Sequence, residues 1–216
     1  MTFAKRIAAL VAAVLVPLSL AGCGYNTLPT QKNAALKAWS DVQVDYQRRA
    51  NLVPNLVATV KGYAAQEKSV LVEVTEARAK ASSINVDAST LNDPAKFQQF
   101  QAAQSQLSSS LGRLLVTVEK YPDLKSNQNF LELQSQLEGT ENRIAIAIRD
   151  YNDAANTYNT SLVTFPTLLW HNTFQSSYKE LPLFQAAAGA QNAPTVDFST
   201  PNAAPAASTP GAPPAK

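Results

Sequence analysis

DPAKFQQFQAAQSQLSSSLGRLLVTVEKYP, residues 93–122, decides the fold. Asp93 can accept the free amides of a first helical turn, and Pro94 occupies a position where no donor is needed. Phe97, Phe100, Gln104, Leu107, Leu111, Leu114, Val118 and Tyr121 then recur at steps of three and four, which places them on one helical seam. Pro122 ends the run because it disfavours helical geometry at Tyr121.

Toward the C-terminus, the short linker 122–125 turns the chain back as a helical hairpin. A further seam follows through Phe130, Leu133, Leu137, Thr140, Ile144, Ile148, Tyr151, Ala155, Tyr158, Leu162 and Phe165, closed by Pro166. Toward the N-terminus, Ala35, Trp39, Val42, Tyr46, Arg49, Val53, Leu56, Val60, Tyr63, Glu67, Val70, Val74, Ala77 and Ala81 form a third seam. It stays in phase across Pro54, so a kink is expected within one long element; a break there, with Asn51 as N-cap, is the alternative. At 1.5 Å per residue the three helices would span roughly 80, 40 and 60 Å. The expected fold is all-α: an elongated up-and-down antiparallel bundle of three long helices, the first kinked or broken at Pro54. A short closing helix within 167–181 makes it a four-helix bundle overall. No stretch alternates with the period of two that a half-buried strand requires.

The ends of the chain carry different information. Lys5 and Arg6 precede an apolar run at residues 7–20, too short to span a bilayer as a mature helix, and Leu20-Ala21-Gly22-Cys23 follows. This resembles a bacterial lipobox, which implies that the Cys23 thiol is acylated and that cleavage makes it the new N-terminus; an ordinary signal peptide is the alternative. Several acyl chains, burying methylenes at roughly 0.8 kcal/mol each, make a firm anchor. Cys23 is the only cysteine, so no intramolecular disulfide can form. Residues 190–216 are rich in Pro, Ala, Ser, Thr and Asn and lack the apolar side chains that would offset ordering entropy, so they read as a disordered tail. The expected organisation is a signal peptide at 1–22, a lipidated N-terminus and linker at 23–28, the bundle at 29–185 and the tail at 190–216. With 216 residues and 45% hydrophobic content, one core is the expectation. A net charge of +2, dispersed along the chain, does not make the basic stripe that nucleic-acid binding needs.

The chain also resembles the LemA family. The segments that carry the resemblance are Gly24-Tyr25-Asn26, Ala38-Trp39-Ser40-Asp41-Val42-Gln43-Val44, the run from Gln47 to Val57, and Val60-Lys61-Gly62-Tyr63-Ala64. Tyr121-Pro122-Asp123-Leu124-Lys125, Asn129-Phe130-Leu131-Glu132-Leu133, the run from Leu137 to Ile144, Tyr158-Asn159 and Phe165-Pro166 continue it. The resemblance implies a membrane-attached, outward-facing bundle of four helices with no established enzymatic activity and no agreed biochemical function. Relatives usually keep an N-terminal transmembrane helix, which this chain exchanges for lipid on Cys23. Gly24 stands where an aspartate would favour inner-membrane retention, so an outer-membrane address facing the periplasm is expected in a Gram-negative cell, and the outer face of the cell membrane otherwise. Residues 167–184 show little of the usual family ending.

Candidate functional residues lie on or beside the seams. Arg49 is flanked by Asp45, Arg48, Asn51 and Asn55, and the last long helix places Glu138, Thr140, Glu141, Asn142 and Arg143 at a comparable depth. If the first and third helices run parallel, these clusters meet, and Arg49 pairs with Glu141 or Glu138 to fix register. A ligand or partner site is the other reading. Catalysis finds no support in the sequence: His171 is the only histidine, which excludes Glu-x-x-His di-iron pairs and His-rich zinc sites, and Cys23 is committed to lipid. Gly62, Gly112 and Gly139 stand singly in helices, where close helix contact is their expected role. No catalytic residue, metal or cofactor is expected. Two functions survive: an envelope scaffold offering Trp39, Tyr25 and the tail to another envelope protein, or a module binding a small ligand through Arg48 and Arg49. A cavity lined by Arg49 and Tyr63 would favour the second. The expected partners are the membrane, through Cys23, and an envelope protein, with self-association possible.

Overall fold

The computed structural model describes residues 24–84, 87 and 89–185. The expected signal peptide, Cys23 and the Pro/Ala-rich tail lie outside them. Among the described residues six helices form: α1 Thr27–Tyr63, α2 Lys68–Ser83, α3 Pro94–Val118, α4 Pro122–Lys125, α5 Gln128–Val163 and α6 Thr167–Thr173, with a 3-10 turn at Thr90–Asn92. Among the described residues there is no strand, and the fold is an all-helical bundle.

The first long seam does not form one rod. α1 runs without interruption through Pro54, so neither a break there nor an Asn51 N-cap is found. The chain reverses instead at residues 64–67, and α2 packs back along α1. Pro54 points to solvent, and its missing N–H leaves the Ala50 carbonyl without its helical donor. Arg78 of α2 supplies a substitute: its Nε donates to the Ala50 oxygen at 2.8 Å. The reversal is favoured because an unbroken rod of roughly 80 Å would carry Leu71, Val74, Ala77 and Ala81 beyond any helix able to cover them. Folded back, those four side chains are buried against α1 and α3.

This hairpin also inverts the expected direction of the last long helix. α5 is antiparallel to α1, not parallel, and the two match in length at 36 and 37 residues, about 55 Å each. The pairing is marked along its length by Asn127 Nδ2 donating to the Tyr63 hydroxyl at 2.8 Å, Arg49 against Glu141, and Trp39 against Tyr151 with ring centroids 5.4 Å apart. α3 starts as its sequence indicates, with the Asp93 carboxylate accepting from the amides of Ala95 and Lys96. It runs parallel to α1.

Two apolar cores result. One holds Val53, Leu56, Val60, Val74, Leu107, Leu111, Leu114 and Leu137, where four helices surround it. The other holds Trp39, Val42, Phe97, Phe100, Tyr151, Ala155 and Tyr158, where α2 no longer reaches. The missing helix is replaced there by an extended strap, residues 178–184. Asn159 donates to the Leu181 carbonyl at 2.9 Å and accepts from its amide at 2.8 Å, and Asn152 does the same for Phe184 at 3.1 and 3.0 Å. Tyr151 and Tyr158 donate to the carbonyls of Pro182 and Lys179. The strap seats Phe184 among Trp39, Phe97, Phe100 and Tyr151. Trp39 is therefore 1% exposed, a core residue rather than a surface contact.

Glycine placement also departs from expectation. A side chain at Gly62 or Gly112 would meet open space, and the nearest group at Gly139 is the Arg143 guanidinium at 3.8 Å, so none mediates close helix contact. Gly24 is the crowded one: a Cβ there would lie 3.1 Å from Trp170 and 3.3 Å from Pro166.

Candidate functional site

Between the two cores lies one polar layer. Arg49 is carried into it by the apolar seam of α1, which leaves the residue 1% exposed. Its Nη1 donates to Ser108 Oγ at 2.7 Å and to the two Glu141 oxygens at 3.0 and 3.2 Å. Its Nη2 donates to the Gln104 carbonyl at 3.3 Å and to Gln104 Oε1. The guanidinium carbon also lies 4.9 Å from the centre of the Tyr46 ring. Only Nε remains buried without a partner. Arg49 thus ties α1 to both α3 and α5 at one height.

The electrostatics follow from burial. Glu141 keeps about two-fifths of its side chain in water, so only the cation is fully desolvated. The Tyr46 hydroxyl is pushed up to about 12 by burial, with Arg49 opposing the shift and Glu141 adding to it. A second, half-buried pair runs alongside, with Arg143 Nε 3.5 Å from Asp45 and Arg143 Nη2 donating to Thr140 at 2.9 Å.

Of the residues singled out from sequence, the structure brings Arg49 and Glu141 together and places Arg143 beside them. Thr140 is buried and Asp45 mostly so, both against Arg143, while the others face outward. Arg48 and Asn142 are exposed; Asn51 accepts from Gln47 at 2.9 Å, Glu138 accepts from Gln134 at 3.0 Å, and exposed Asn55 lends its backbone carbonyl to Thr59. Gln104, Ser108 and Tyr46 were not singled out, although Gln104 occupies a seam position where every immediate neighbour is apolar. That polar intrusion was the readable signal.

The nearest cleft, about 390 Å³, is lined by Tyr46, Gln47, Ala50, Phe100 and Gln104 among others. Neither Arg49 nor Tyr63 lines it; Tyr63 is at the far end of α1, bonded to Asn127. Among the described residues no group of three or more His, Cys, Asp or Glu is placed to hold a metal ion. The His171 ring reaches the Tyr178 carbonyl at 2.9 Å, and since a carbonyl only accepts, Nε2 carries the proton in that bond.

A family model described as LemA family matches residues 38–198, about three-quarters of the chain. The chain belongs to the LemA family. The match takes in the Arg49 layer, both strap-holding asparagines and residues 167–184 of this LemA chain. Among curated proteins, none matches it. No described helix is long and apolar enough to cross a membrane.

Proposed function

We propose that this LemA protein is a lipid-tethered envelope scaffold, held through Cys23 and presenting its helical surface to another envelope protein without catalysis. The observation that carries the reading is the internal closure of the Arg49 layer. Among the described residues Arg49 is the one buried charge, and four of its five donors end on Gln104, Ser108 and Glu141 of the same chain. A charge used in this way fixes the register of three helices and leaves no polar handle for substrate. The ligand-binding alternative needs Arg49 to line a cavity, and the neighbouring cleft omits it.

Crosslinking in intact cells, followed by mass spectrometry beside a Cys23→Ala control, tests the proposal. One recurrent envelope protein captured only with Cys23 present is the expected result. A small molecule copurifying in equal amount with the bundle, with no recurrent protein, would replace the scaffold by a binding module.

A further inference from the structure

The bundle is asymmetric end to end. At one end, the turns around 64–67 and 119–127 carry Glu67, Lys68, Glu119, Lys120, Asp123 and Lys125. At the other, residues 24–31 and 154–178 contain no Asp, Glu, Lys or Arg at all. That uncharged end exposes large apolar side chains in a group: Phe165 is 78% exposed and Phe174 74%, with Val163, Leu169 and Tyr25 also open to solvent. Elsewhere the exposed apolar residues, such as Val44, Val72, Val116 and Ile146, are spread over separate helices.

The group is built, not incidental. Tyr25 meets Trp170 edge-on with centroids 5.6 Å apart, Trp170 meets Phe174 at 5.9 Å, and Gln175 Nε2 donates to the Tyr25 carbonyl at 2.9 Å. Gly24 is pressed against Trp170 and Pro166 so closely that a methyl group would crowd both. The next residue back is Cys23, about 3.8 Å away along the chain. Acyl chains on Cys23 would therefore emerge beside α6.

We propose that the α6 end docks into the membrane–water interface, with Phe165, Leu169 and Phe174 among the upper acyl chains and Trp170 and Tyr25 at headgroup level. The inference rests on the reading of Cys23 as the lipid anchor. Trp and Tyr favour that interface because one edge of the ring is polar and the rest is not, and an uncharged face avoids the large cost of desolvating ions there. The first charges met on leaving the face are Lys32 on α1, Lys179 and Glu180 beyond α6, and Asp93 at the start of α3, whose neighbours Asn92 and Pro94 line a cleft with Val163 and Leu168; on α5 the first is Asp153, about 15 Å from Val163. The nearer lysines suit anionic headgroups. Lipid alone tethers the chain at a point, and this second contact sets its orientation, so that the long axis rises from the bilayer and the charged end is held outward.

The test uses the full lipoprotein reconstituted in vesicles of phosphatidylethanolamine and phosphatidylglycerol, with and without bromine on the acyl chains. Trp39 is buried in the core, so quenching reports Trp170, and a Trp170→Phe variant confirms the assignment. Quenching by brominated lipid is expected, and Phe165→Ser with Phe174→Ser should abolish it while the protein still floats with the vesicles. A wild-type protein that floats but shows no quenching overturns the docking and leaves the lipid anchor standing. Crosslinked pairs joined through α6, without quenching, would assign the face to a second copy of the chain instead. An N-terminal peptide whose mass lacks acyl chains overturns both the anchor and the docking.

Discussion

Replacing Arg78 with methionine removes the donor that completes α1 opposite Pro54. Ala50 is 6% exposed, and its carbonyl has lost the amide of residue 54, so the Arg78 Nε at 2.8 Å replaces that donor. Hydrogen bonds from charged donors contribute about 1.5–3 kcal/mol, and an orphaned buried acceptor costs a comparable 1–3 kcal/mol. Arg78→Met should therefore destabilise the bundle by about 2 kcal/mol, since the methionine retains the packing of the arginine stem. Pro54→Ala restores an amide to Ala50 and should itself stabilise the helix by up to about 3 kcal/mol. In the Pro54→Ala background the Ala50 oxygen is already bonded, so the same Arg78→Met change should cost less than about 0.5 kcal/mol. Urea unfolding of the four proteins, followed by helical circular dichroism, yields the coupling directly. Equal costs of Arg78→Met in both backgrounds would show that Arg78 acts by packing alone and refute the repair.

Removing Glu141 should cost more than removing Arg49: Glu141→Ala strands a buried cation, for about 3–5 kcal/mol, whereas Arg49→Met frees a half-exposed carboxylate and orphans chiefly Gln104, for about 1–3 kcal/mol; the reverse order in thermal melts would contradict the layer described above. Asn159→Ala removes two backbone bonds to the strap, and the measurable result should be faster proteolysis near residues 178–184 with helical content unchanged. Gly112→Ala should raise stability by about 0.5–1 kcal/mol in denaturant titration, because the added methyl meets open space. Burial raises the Tyr46 hydroxyl to about 12 and the Tyr151 hydroxyl well above its ordinary value of 10. Both bind protons more tightly folded than unfolded, so their contribution is complete below pH 10 and falls by about 1.4 kcal/mol per pH unit for each above it. A tyrosinate absorbance titration should show part of the seven tyrosines ionising only with unfolding, and full ionisation of a still-folded protein by pH 11 would count against this.

Helix identity was legible because the seams are long and their signals local: Asp93-Pro94 opens α3 and Pro166 follows the end of α5. The turn at 64–67 was not. Its residues Ala64-Ala65-Gln66-Glu67 favour helix, and the apolar phase carries straight across them, so local preference argues for continuity. What bends the chain is non-local: α2 must bury its face on α3, and no window of sequence contains both. Pro54 misled for the complementary reason. Its missing amide is a local defect with a remote repair, Arg78, twenty-four residues away. The strap was equally hidden, because Asn152 and Asn159 look like solvated helix positions until an extended segment is laid beside them.

The Arg49 layer draws these features together. Had the first seam been one rod, the last helix would have run parallel to it, and a pairing of residues 49 and 141 would have left the ends of the two helices unmatched. With the reversal at 64–67 the helices run antiparallel, and one register satisfies Tyr63 with Asn127, Arg49 with Glu141 and Trp39 with Tyr151 together. A slip of one helical turn, about 5.4 Å, would withdraw Glu141 from the guanidinium and leave a buried charge uncompensated. Apolar contacts alone discriminate less between registers, since they are not directional. The charge contributes little net stability compared with an apolar residue of its size, but it makes the wrong registers expensive. The same register sets Gly24 and Tyr25 against Trp170 of α6, which closes that end of the bundle.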